Sequence, residues 1–410
     1  MNTRQHDPFK TTFDSLEEFA DLISQVLNCP ITIEDANHRL LAYSTHDERT
    51  DPARIYTIIG RRVPEKVINQ LWKEGTIPAL LQTREPIRVK KIDEIGLHNR
   101  VAISIWKQDE VLGFIWAIEI DKTLTEEDFD LLKKAADSAK NKLLQLQTRK
   151  NKKEEHSQEF FWKLLTGHLK GEKDIYERFH ALKITPSPSF GIAVFQFPDN
   201  ITSKVEQNIS YLLKTSQMMK ILLYTIDCNQ LIVLISAANK NEHYQEFNGF
   251  VQTFVSTMDE RFDIKGITPG YSSIYDDYQK IGQAYKETLS VLSIKEKFPE
   301  ETKEIFNYQK LGIYQLFELI LEKRQSEFSE NYSLKRLQEY DQRHHSNLVE
   351  TLEVFLNKDN NINDAAKELN VHANTLNYRL KRISEIGDVN FKDPSQKMLL
   401  YVDLKLEKYK

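Results

Sequence analysis

The chain has 410 residues, 40% hydrophobic and 29% charged, with a formal net charge of −5; the length predicts two to four domains, and the charge balance excludes a uniformly basic nucleic-acid binder while permitting a local basic surface. Two cysteines far apart, Cys29 and Cys228, exclude a disulfide framework and a zinc site built on Cys pairs. With no secretory leader and no apolar run of membrane-spanning length, the expectation is a cytoplasmic protein without a membrane partner.

In chain order, Ser15 to Leu27 carries Leu16, Phe19, Ala20, Ile23, Val26 and Leu27 at helical spacing. Ile31-Thr-Ile-Glu-Asp and Arg39-Leu-Leu-Ala-Tyr-Ser follow as a hairpin. Residues 50–85 read as an insert, with helices over Pro52–Gly60 and Pro64–Lys73. Ile87–Val89, Val101–Trp106 and Val111–Ile120 are three more strands, the last two joined at Asp109-Glu110. Leu40-Leu-Ala-Tyr-Ser and Leu112-Gly-Phe-Ile resemble the GAF family of sensor domains. That resemblance implies a sheet with helices on one face and a small ligand on the other. Tyr43, Arg88, Arg100, Ser104, Trp106 and Trp116 are the candidate effector residues, because an arginine beside aromatics can hold a carboxylate. The competing reading makes the aromatics core and the arginines solvated.

Thr125-Glu-Glu-Asp128 has the pattern of a capping box, with Leu124 and Phe129 placed as a hydrophobic staple. The helix behind it carries Phe129, Leu132, Ala136, Ala139, Leu143 and Leu146. We expect its first half to pack on the sheet and its second half to dimerise. Arg149 to Lys153 reads as a solvated linker face. Phe160–Leu165 opens a further helix ending near Gly171. Phe190–Phe197, Ile221–Ile226 and Leu231–Ile235 are strands, followed by helices near 242–262 and 275–295. This segment resembles a degenerate GGDEF-like domain. The hairpin Asp227-Cys-Asn-Gln230 stands where a diguanylate cyclase carries a Gly-Gly-acidic loop, and Asp227 alone is a poor Mg²⁺ site. No Walker A, HExxH or GxSxG run occurs, so neither catalytic residues, nor a metal site, nor a cofactor is expected.

Leu311–Leu321 and 330–340 read as helices, and Asp341–Asn347 as an exposed polar stretch in which adjacent His344 and His345 make no metal site. Leu348–Leu356 is a helix. Asn363 is the expected cap of the next, whose face is Ala365, Ala366 and Leu369. Asn370 then takes a left-handed turn, and His372 caps a second helix from Ala373. Leu376, Leu380 and Ile383 share one face of that helix. Asn374, Tyr378 and Lys381 fall opposite, flanked by Thr375, Asn377 and Arg382. Such a face suits the major groove, with Asn for adenine edges and Lys, Arg and Thr for phosphates or bases. Pro394 opens a last helix with Met398, Leu399, Val402 and Leu406 inward.

Val371-His-Ala-Asn-Thr-Leu-Asn-Tyr-Arg-Leu380 resembles the signature of the PucR/CdaR family of bacterial transcription regulators. Ala373 replaces the family's usual Arg, and Gly387-Asp388 also fits. The resemblance implies an α+β multidomain protein. Its parts are a GAF-like sensor with its closing coiled-coil helix (1–147), a degenerate GGDEF-like α/β domain (148–308), a helical linker (309–346) and an all-α helix-turn-helix domain (347–410). It also implies a homodimer or higher homo-oligomer that binds operator DNA, answers a small effector and contacts RNA polymerase. The sensor is similar to that of proline-utilisation activators, which favours proline or another amino acid. A purine-catabolism regulator and a signalling scaffold that does not bind DNA are the alternatives.

Overall fold

The computed structural model describes residues 8–9, 13, 15–44, 50–169, 171–237, 243–327 and 331–409, with the side chains at 147–153, 243, 324–327 and 409 outside that description. It divides into two compact units, 1–269 with 274–285, and 270–273 with 286–410.

The first unit opens with α1 (Leu16–Leu27). Ser15 accepts a hydrogen bond from the Glu18 amide, and Asn28 closes the helix in the left-handed region at φ 52°. Then come β1 (Ile31–Asp35), β2 (Leu40–Tyr43), α2 (Pro52–Gly60), α3 (Glu65–Lys73), α4 (Thr76–Leu80), β3 (Ile87–Val89), β4 (Arg100–Lys107) and β5 (Glu110–Ile118). The strands form one antiparallel sheet in the order β2-β1-β5-β4-β3.

Strand alternation sorts this sheet cleanly. Ile31, Ile33, Val101, Ile103, Ile105, Ile115 and Ala117 face one core, shared with α1 and with Leu132, Ala136, Ala139 and Leu143 of α5 (Glu126–Leu165). Ala102, Phe114 and Trp116 face the other core, under α2, α3 and α4, with Val67, Ile68, Leu71, Ile77 and Leu80. The expected helices of the 50–85 insert are therefore present and serve as the cover of this second face.

Thr125 and Asp128 make the expected reciprocal cap at the start of α5. Its 40 residues correct two expectations. The helix of Phe129–Leu146 and that of Phe160–Leu165 are one, and while the first half packs on the sheet as expected, Ala139 and Leu143 of the half meant for dimerisation pack there too. Leu132, Ala136, Ala139 and Leu143 are buried against the chain's own sheet, leaving Leu146 exposed. The side chains of the basic run Arg149–Lys153 lie outside the described residues, but its backbone is helical.

Next come α6 (Glu172–Ala181), β6 (Ser189–Gln196), α7 (Ser203–Thr215), β7 (Ile221–Asp227), β8 (Gln230–Ala237), α8 (His243–Phe262), β9 (Thr268–Tyr271) and α9 (Ile281–Lys297). β8 pairs antiparallel with both β6 and β7. The helices α6 and α7 are additions to the expected set. The Asp227–Gln230 hairpin is present, with Cys228 exposed at φ 52°.

In the second unit the expected single helix over 311–321 is two pieces. A 3₁₀ stretch runs from Tyr308 to Leu316, and α10 follows (Phe317–Glu327). Within the 3₁₀ stretch Gly312 adopts φ 57°, ψ −127°, which only glycine takes readily. The rest is helical: α11 (Tyr332–His344), α12 (Leu348–Asn357), α13 (Ile362–Glu368), α14 (Ala373–Gly387) and α15 (Pro394–Tyr409). α15 differs from expectation. Val402 and Leu406 are buried, but Met398 is 62% and Leu399 53% exposed. Leu400 and Leu404 instead join the core of α11–α14, while Val402 and Leu406 join a second cluster with Val291, Phe298 and Phe317. One helix buried against two clusters has no single apolar stripe, so its spacing does not mark the inward face.

Candidate nucleic-acid interface and a buried cavity

α12, α13 and α14 pack around Leu352, Phe355, Ala365, Ala366, Leu376, Leu380 and Ile383, with Leu334 and Leu337 of α11. The small side chains of Ala365 and Ala366 allow α13 and α14 to approach closely. The cap of α13 is Asn361, two residues before the expected Asn363. Its carboxamide oxygen accepts from the amides of Asn363 at 2.9 Å and Asp364 at 3.2 Å. Ile362, partly buried on the core, is thereby the first helical residue. Asn370 takes the left-handed turn at φ 52°, and His372 precedes α14 as expected, without a capping side-chain bond.

The two faces of α14 are as the spacing predicts. Leu376, Leu380 and Ile383 are buried, whereas Asn374, Thr375, Asn377, Tyr378 and Lys381 are exposed, Tyr378 at 69%. Arg382 is half-buried: its Nη2 donates to the Tyr340 hydroxyl at 3.2 Å, its guanidinium lies 5.3 Å from that ring's centre, and Glu385 lies beyond. The hydrogen bond with Tyr340 is the main cause holding its pKa above the ordinary arginine value. Arg379, which the spacing did not single out, donates to Thr351 Oγ1 at 3.1 Å and ties α14 to α12.

The six candidate effector residues do not form one site. Arg100 and Trp116 line a cavity between the first sheet and its α2–α3 cover; Tyr43, Arg88, Ser104 and Trp106 are not in its lining. Arg88 pairs in register with Val101, and so faces the α5 side of the sheet, where it bonds Glu119 and the Leu124 carbonyl. Ser104 is on the cavity side but donates to the Leu80 carbonyl. Trp106 donates to the Thr83 carbonyl at 3.2 Å, and Tyr43 lies under Arg61.

Sequence reasoning missed Glu34, His38 and Arg54, which also line the cavity. Arg54 is buried and donates to the carbonyls of Ile31 at 2.7 Å and Ser44 at 2.9 Å. Asp51 caps α2, accepts from the His98 amide and pairs with Arg100. Glu34 and His38 are in contact at 3.2 Å. The signal available was faint: Thr32 and Glu34 are polar residues at strand spacing within an apolar strand. Among the described residues, no cluster of three His, Cys, Asp or Glu side chains is placed to hold a metal.

A compact helical core with an exposed second helix, polar, basic and free of acid before Glu385, is the make-up of a DNA-binding helix-turn-helix protein. Residues 348–406 match the PucR C-terminal helix-turn-helix domain, and residues 166–294 match the GGDEF-like domain. The chain is 53% identical to the DNA-binding transcriptional activator AdeR of Bacillus subtilis, over 98% of this chain and 96% of that one. It is 30% identical to the proline-responsive transcriptional activator PutR of the same organism, over 97% and 98%. A third relative, the purine catabolism regulatory protein of B. subtilis, is 28% identical over 43% of this chain and 33% of that one. The chain belongs to the PucR family of transcriptional regulators. Among the described residues, no helix is long and apolar enough to cross a membrane.

Proposed function

We propose that this chain activates transcription of a catabolic operon in response to a small effector, for which proline or another amino acid is the favoured class. The observation that carries the DNA-reading part is the exposed face Asn374, Thr375, Asn377, Tyr378 and Lys381, set opposite buried Leu376, Leu380 and Ile383. Arg382 contributes to the same surface from its place on Tyr340. The activator reading follows the two relatives matched along almost their whole length, of which one is named as proline-responsive.

In this reading residues 1–147 are a GAF-like sensor. Supporting it are the strand order β2-β1-β5-β4-β3, helices α1 and α5 on one face, and a cavity on the other. Residues 148–308 are a GGDEF-like domain without cyclase activity, since the Asp227–Gln230 hairpin offers one carboxylate where Mg²⁺ favours several oxygens. Residues 309–346 are a linker and 347–410 the DNA-reading domain. The working form is a homodimer reading paired half-sites and contacting RNA polymerase, with its interface elsewhere than the first half of α5.

Gel-shift titration of the full chain on DNA upstream of its own operon, at two salt concentrations, tests the reading. Specific binding that weakens with salt and is altered by an effector is expected. Absence of salt-dependent DNA binding would overturn it in favour of a scaffold.

A further inference from the structure

We propose that the cavity beneath α2 and α3 is the effector site and that it binds a small α-amino acid as its zwitterion. This deepens the functional reading above and rests on it. Three features of the cavity wall carry the inference.

The first is an unpartnered donor. Trp116 is 2% exposed, and its indole Nε1 has no hydrogen-bond partner. An indole N–H can only donate, so what it lacks is an acceptor. Arg100, whose guanidinium lies 6.0 Å from the centre of the Trp116 ring system, is the neighbouring cation. Asp51 and the His98 carbonyl take some of its donors, in a fork that offers five. An N–H beside a guanidinium is a carboxylate site.

The second is an unpartnered acceptor. His38 Nδ1 lies 3.2 Å from Glu34 Oε2, and both residues are buried. Where Nδ1 donates to Glu34 and the ring is neutral, Nε2 is the ring's acceptor. That Nε2 is buried and without a partner. With the Glu34 carboxylate beside it, the pair asks for a donor, and a cationic one suits it best. An ammonium group meets that description.

The third is register. Thr32 pairs with Trp116 and Glu34 with Phe114 across β1 and β5. The acceptor end and the donor end therefore stand on one face of two adjacent strands, a spacing of neighbouring side chains. Donor and acceptor at that separation match the two ends of one α-amino acid. A hydroxy acid would leave Glu34 without a cation. A neutral heterocycle would offer Glu34 no cation and the Trp116 N–H no charged acceptor. The cavity's roughly 370 Å³ of atom-free space includes open solvent, so the room left for a ligand is smaller and admits only a compact one.

Thermal shift and calorimetry on the full chain test this, with glycine, L-alanine, L-serine and L-proline as probes beside their amides, N-acetyl forms and matching hydroxy acids. At least one zwitterion should raise the melting temperature, and removing either charge should weaken binding about tenfold or more. Trp116→Phe keeps the ring and removes only the donor, and it should cost a similar factor, as should Glu34→Gln. Arg88→Ala and Trp106→Phe should bind as the parent does. If no zwitterion of the set binds at millimolar concentration, or if Trp116→Phe and folded Glu34→Gln bind like the parent, the assignment is overturned. Should Glu34→Gln fail to fold, Trp116→Phe decides alone. Gel shifts on the same samples separate the two claims. DNA binding with no amino-acid binding overturns the site and leaves the regulator, and amino-acid binding with no DNA affinity does the reverse.

Discussion

Asn374 and Leu376 are two positions apart on α14, yet one is exposed and the other fully buried. Their substitutions should separate recognition from folding. Asn374→Ala should leave circular dichroism unchanged and lose base discrimination of roughly 1–3 kcal/mol. Lys381→Ala should weaken binding to all sequences and reduce the salt slope by about one. Arg382→Ala should cost less than Lys381→Ala, because Tyr340 already engages its guanidinium. Leu376→Asp should unfold the helix-turn-helix core by burying an unpaired carboxylate. Equal operator affinity for Asn374→Ala, Lys381→Ala and the parent would place the DNA-reading surface elsewhere.

The elements around α14 depend on caps and on shared helices. Asp341, near the end of α11, accepts from the amides of Leu348 and Val349, both at 2.9 Å, and so caps α12, whose own preceding residue Asn347 makes no side-chain cap. Asp341→Ala should lower stability by about 0.5–2 kcal/mol in urea titration, with operator affinity restored once the chain is folded. α3 has a different double role. Val67 and Leu71 line the cavity, while Trp72 donates to the Tyr211 hydroxyl at 2.7 Å and lies beneath Arg261. Burial pushes the Tyr211 phenol's pKa up, so the group is a neutral hydroxyl. A ligand that shifts α3 shifts this contact. Trp72→Phe should therefore hold amino-acid affinity within about threefold, less than 1 kcal/mol, while shrinking the effector's change in DNA affinity. Full retention of that change would show that the signal leaves the cavity by another route.

Across the second unit, α15 ties the DNA-reading core to the cluster around Phe298 and Phe317. Lys405 is almost fully buried there and donates to Glu301 at 2.7 Å. Partial burial raises the Glu301 pKa, but the bond from Lys405 outweighs it and holds the carboxyl below its ordinary value. A carboxyl lowered on folding stabilises above its unfolded pKa and loses that contribution as pH falls through the folded one. At pH 7, Glu301→Gln should speed hydrogen exchange of the α15 amides relative to the parent. That difference should close only as pH falls through the carboxyl's lowered folded pKa, where the parent is also neutral. A pH-independent difference would assign the effect to packing.

The helices and strands that were legible are those whose residues answer to their neighbours in the chain. The boundary at Ala373, the left-handed Asn370 and the buried stripe Leu376, Leu380 and Ile383 follow from 3.6-residue periodicity and cap chemistry alone. The five strands of the first sheet follow likewise from short runs rich in β-branched and apolar residues bounded by turn residues. Local pattern did not reveal the continuity of α5, because a charged run such as Arg149–Lys153 marks a linker in composition yet leaves the backbone hydrogen bonds of a helix unaffected. Nor did it distinguish Arg88 from Arg100. Both read as arginines beside aromatics, and only the pairing of Arg88 with Val101 puts it on the sheet face away from Arg100. The cavity draws Glu34 from β1, His38 from the following turn, Arg54 from α2 and Trp116 from β5. Which of these side chains meet is decided by strand register and by the placement of the α2–α3 cover, contacts made between residues far apart in the chain, on which sequence spacing is silent.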